Sequence, residues 1–142
     1  MRKFLTITTM TLVTLSNNVA YAADDARQLV KLPDMMQEHM LSNMRDHLVT
    51  INEILNNMSD GHLDKAAEIA EARLGISSLE LHGASHMGKF MPKEMQQAGT
   101  SMHKAATAFA LKAQEGDALP AYRALSKVTA SCVACHSAYR IH

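Results

Sequence analysis

The sequence predicts an all-α protein folded as an antiparallel four-helix bundle. Three observations carry that expectation. The strong helix formers Ala, Leu, Met, Glu and Lys dominate the chain. Apolar residues recur at three- and four-residue steps in four stretches, which is the helical period and not the strand period. The links between the last three stretches hold Gly, Asp or Pro, and short links between amphipathic helices make antiparallel neighbours. Strand signals are nearly absent, with three Phe, three Tyr, no Trp and no alternating β-branched run.

The N-terminus reads as an export signal outside the bundle. Arg2-Lys3 precedes a mostly apolar run from Phe4 to Leu15, then polar Ser16-Asn17-Asn18, then Ala20-Tyr21-Ala22. That is the charged, apolar and small-x-small order of a secretory leader. The run falls short of the roughly 20 apolar residues that a membrane span requires. Cleavage is expected after about Ala22, dividing the chain into a signal, residues 1–22, and one bundle domain, residues 23–142, with no membrane anchor after cleavage.

The first helix is expected from about Asp34 to Met58, with Pro33 suiting its first turn and Ser59-Asp60-Gly61 stopping it. Met36, Met40, Met44, Leu48, Ile51, Leu55 and Met58 mark its inward stripe. The second starts near Asp64, is interrupted or bent at Gly75, and resumes through Leu79 and Leu81 toward His86. A glycine-containing connection leads to Pro92. The third covers about Pro92 to Gln114, with Met95, Ala98, Met102, Ala105, Ala106, Phe109 and Ala110 on one side. Glu115-Gly116-Asp117 ends it. The fourth runs from about Ala118 to Arg140, with Tyr122, Leu125, Val128, Thr129, Cys132, His136 and Tyr139 inward.

Charge excludes some partners. Fourteen basic residues balance fourteen acidic ones, and loss of Arg2 and Lys3 leaves the remainder at about −2. No basic run or basic-aromatic surface suggests nucleic acid. No Ser-His-Asp spacing, phosphate loop or paired-carboxylate motif stands out, so the chain is expected not to be an enzyme.

The chemistry concentrates in Cys132-Val133-Ala134-Cys135-His136, which holds both cysteines of the chain. C-x-x-C-H is the c-type haem attachment signature. On a helix, residues three and four apart share a face, so two thiols converge to form thioethers and the imidazole reaches the iron. Other readings are weaker. A disulfide closing so small a loop would stabilise little, a redox C-x-x-C wants a βαβ setting, and zinc wants four ligands. One covalent haem c is therefore expected, with Cys132 and Cys135 as attachment points and His136 as the proximal iron ligand. The opposite face of the iron should come from the early first helix, where Met36, His39, Met40, Met44 and His47 are candidates. Methionine is a known axial ligand, and it is also common core filler.

The ending Cys132 to Arg140 resembles the C-x-x-C-H-x-x-[FY]-R terminus of the cytochrome c-prime and cytochrome c-556 family. The Gly116-Asp117 turn and the Asp64-Lys65-Ala66-Ala67-Glu68-Ile69 segment are also similar to that family. The resemblance implies a periplasmic monohaem four-helix bundle, often dimeric through helices one and two, that exchanges electrons with redox partner proteins. Within the family a distal methionine gives a six-coordinate electron-transfer type, and a non-ligating side chain gives a five-coordinate type that binds small gases. Aligning the turn at Gly61 and Pro33 places the distal position near Met44, with Met40 the second choice. The chain departs from the family pattern in lacking Arg or Lys four residues before Met44, and in lacking an aromatic-rich stretch between Gly75 and Pro92. A peroxidase-like haem enzyme would draw on His39 or His47 for acid–base work. Arg140 is placed to approach a haem propionate and Tyr139 to cover the haem edge. His82 and His86, four apart, form a two-ligand metal pair if their stretch is helical. His62 and His103 carry no supporting pattern.

Overall fold

The computed structural model describes residues 25–142; the expected signal at 1–22 lies outside them. Four long helices form the bundle: α1 (Asp34–Ser59), α2 (Leu63–Leu74), α4 (Lys93–Gln114) and α5 (Ala118–Ala138), with a four-residue α3 (Ala84–Met87) in the α2–α4 link. Consecutive long helices are neighbours, α1 against α2, α2 against α4, and α4 against α5. Among the described residues no helix is long and apolar enough to cross a membrane.

Local chemistry sets the ends. Pro33 and Pro92 each stand just before a helix in extended conformation, where a missing N–H costs nothing. Asp117 caps α5 by accepting from the Leu119 N–H at 3.1 Å. Gly61 and Gly116 take positive φ at the turns after α1 and α4.

The second helix is shorter than the sequence suggests. It stops at Leu74, and a 3-10 turn (Ile76–Ser78), a bend, α3 and a second 3-10 turn (Gly88–Phe90) follow. Gly75 is the cause. Its backbone is extended at ψ 177°, and a side chain there would stand 2.6 Å from the Glu71 carbonyl. His82 and His86 therefore do not share a helix face. His86 is exposed and His82 half-buried.

The inward faces of α1 and α5 are rotated from the expected stripes. On α1, Met40, Asn43, Thr50, Ile54 and Met58 are buried, while Leu48 and Leu55 point outward. On α5, Ala121, Leu125 and Val128 are buried and Tyr122, Thr129 and His136 are exposed. Each exposed residue follows a buried or half-buried one by a single position, about 100° of helix rotation. Helix α5 also ends earlier than expected, because Tyr139–Arg140 become extended. They form β2, which pairs in parallel with β1 (Gln28–Leu29), an element with no sequence signal at two residues' length.

Two apolar clusters fill the molecule. One, built on Ile54, Leu74, Phe109, Leu125 and Val128 with small Ala residues between, packs all four long helices. The other gathers Met40, Met87 and Met95 with Met36, Met44 and Met91 around Val30, Cys135 and Tyr139. Six of the eleven methionines thus sit together in the half of the bundle that carries Cys135.

Candidate functional site

Between these clusters lies a cavity of about 420 Å³. Cys132, Cys135 and His136 of α5 line one side, and Met40, Leu41, Met44 and His47 of α1 line another. The α2–α4 link adds His82, Met87 and Met91, and α4 adds Met95, Met102 and His103. The residues that the sequence assigns to attachment are thus brought to one cavity. Helical spacing explains the two cysteines, which extend the buried line of Leu125 and Val128. His136, one position further round, stands exposed at the mouth.

Of the five α1 candidates for the opposite side, Met40, Met44 and His47 line the cavity. Met40 is buried and Met44 half-buried. Met36 packs in the methionine cluster, and His39 turns to the link, where its Nε2 lies 3.2 Å from the His82 carbonyl.

The thiols are free rather than disulfide-bonded. Burial pushes both up from the ordinary thiol value, so they are protonated at neutral pH. At the mouth, Arg27 donates to the His136 carbonyl at 3.4 Å, and the buried Arg140 Nε makes no hydrogen bond but pairs with the Asp25 carboxylate at 3.6 Å. Asp25 binds Arg27 at 2.7 Å, which holds its carboxyl at about 2. A largely apolar slot with two thiols, an imidazole and two arginines at its edge fits a porphyrin that carries acidic edge groups.

Sequence reasoning missed His103. It is buried on α4 beside Met102, and its Nδ1–H donates to the Leu74 carbonyl at 2.8 Å. A signal existed: His103 lies three residues before Ala106 and seven before Ala110, on the apolar face. No local signal foretold that His47 and His82 would join it, since the three rings come from separate elements. Among the described residues, no group of three His, Cys, Asp or Glu is arranged as a preformed metal centre.

Residues 91–140 match the family described as Cytochrome C'. No curated protein and no solved structure matches the chain.

Proposed function

We propose that this chain, whose residues 91–140 carry the cytochrome c-prime signature, is an electron carrier of the periplasm. It is a c-type haem protein with covalently attached haem c. In this reading Cys132 and Cys135 hold the haem, His136 binds the iron on one side and Met44 on the other, with Met40 the alternative donor. Bound haem supplies a one-electron Fe(III)/Fe(II) couple, and no substrate is turned over. The observation that supports the reading is the meeting of Cys132, Cys135 and His136 with the thioethers of Met40 and Met44 across one cavity. The surrounding apolar side chains exclude water and so tune the potential, while Arg27 and Arg140 at the mouth offer positive charge to acidic edge groups.

An optical spectrum tests it. A low-spin ferric spectrum with a methionine-to-iron charge-transfer band is expected, and Met44→Ala should turn it high-spin. If Met40→Ala does so instead, Met40 is the ligand. A five-coordinate, gas-binding protein is the second reading, favoured by Leu41, an apolar side chain lining the same α1 side of the cavity. A high-spin spectrum in the unaltered protein that shifts on adding carbon monoxide or nitric oxide would establish it.

Self-association along α1 belongs to the same proposal. Met35, Leu48, Val49 and Leu55 are exposed on that helix, and a second copy would cover them. Sedimentation should give a dimer, and Leu48→Glu a monomer.

A further inference from the structure

One histidine group is not used by the haem reading. His47 of α1, His82 of the link and His103 of α4 meet on the wall of the cavity, with ring centroids 4.7 Å (His47–His82), 5.3 Å (His82–His103) and 6.2 Å (His47–His103) apart. One buried and two half-buried bases of one kind are a costly arrangement unless something binds them. His47 Nε2 and His82 Nδ1 are buried atoms with no hydrogen-bond partner, and an unmet buried polar atom destabilises a fold. His103 is already set. Its Nδ1 faces the carbonyls of Leu74 and Gly75 at 2.8 and 3.2 Å. Carbonyls only accept, so Nδ1 carries the proton and Nε2 is left with a bare lone pair. Metal-binding histidines are oriented in this way by their other nitrogen.

We propose that His47, His82 and His103 bind one borderline divalent transition-metal cation, of the zinc or copper(II) kind, in addition to the haem iron. Around a tetrahedral ion with metal–nitrogen bonds of about 2.0–2.1 Å, three imidazoles stand about 5 Å apart between centroids. The observed spacings surround that value. The ring nitrogens do not yet share a centre, and rotation of the His47 and His82 side chains supplies the aim, because no hydrogen bond holds either unpaired nitrogen. The His82 main chain is fixed independently, its carbonyl accepting from Asn43 Nδ2 at 3.0 Å. Burial keeps His47 and His82 neutral at pH 7, the form that ligates. Three nitrogens leave a fourth position for water.

Calorimetric titration of the haem-loaded, chelator-washed protein with zinc chloride at pH 7.5 tests the site. One equivalent per chain is expected, weakened at least tenfold by His82→Asn and by His47→Asn, and unchanged by His86→Asn. The haem absorption spectrum is recorded on every variant to separate zinc binding from iron ligation. The proposal is overturned by absence of binding, by binding that survives both substitutions, or by loss in His86→Asn. It is also overturned if His47→Asn turns a low-spin ferric haem spectrum high-spin, since His47 would then serve the iron.

Discussion

Gly83 shows how much one residue can hold. It takes φ +65°, and a side chain there would stand 3.0 Å from His39 Nε2. Gly83→Ala therefore meets backbone strain and a close contact together, and should cost about 1–2 kcal/mol in urea denaturation. His47 gives a second residue-scale prediction. Burial first, then the neighbouring histidines, lowers it from 6.5 to about 4. The unfolded chain takes up the proton at 6.5 and the folded chain only near 4, so acid in that window favours unfolding. In metal-free protein the His47 contribution is flat above pH 6.5 and falls by up to about 3 kcal/mol toward pH 4. His47→Gln should flatten that part of the profile, read from denaturation midpoints at pH 7.5, 5.5 and 4.5. That Cys132, Cys135 and His136 share one cavity was legible from five adjacent residues, because helical spacing alone sets them on neighbouring faces. The histidine group was not, since His47, His82 and His103 adjoin only after α1, α4 and the link have packed.

At the scale of elements, packing decided what periodicity left open. The pattern for α1 admitted Leu48 and Leu55 as inward residues, yet the packed helix buries Thr50 and Ile54. Thr50 enters the core because its hydroxyl donates to the Asp46 carbonyl at 2.8 Å, leaving only its methyl group to pack. A hydropathy count cannot register that. On α4 the expected apolar face holds apart from the buried His103, since small Ala residues and Phe109 form one continuous face against α2 and α5. Phe109 is fully buried, so Phe109→Ala should cost about 3–5 kcal/mol by denaturant titration. Arg73 joins α2 to α1 by pairing with Asp46 and, at 2.5 Å, with Glu53. Both pairs are only partly buried and open to solvent screening, and Arg73→Met should lose no more than about 1 kcal/mol in the same measurement.

For the whole molecule, charge and closure matter most. With positive and negative residues nearly balanced, long-range steering is weak, and electron exchange with a partner should change less than about threefold between low and high salt in stopped-flow measurements. Closure is a matter of timing. The β1–β2 pair joins Gln28 to Tyr139 and Leu29 to Arg140, and the Val30 N–H donates to the Arg140 carbonyl at 2.8 Å. Contacts between residues so far apart in sequence are entropically late in folding. The clasp therefore locks after the helices, and it locks immediately beyond Cys135 and His136. It ties the C-terminal end of α5 to the start of the described chain, so in the proposed reading the clasp would hold in place the helix end that carries the haem.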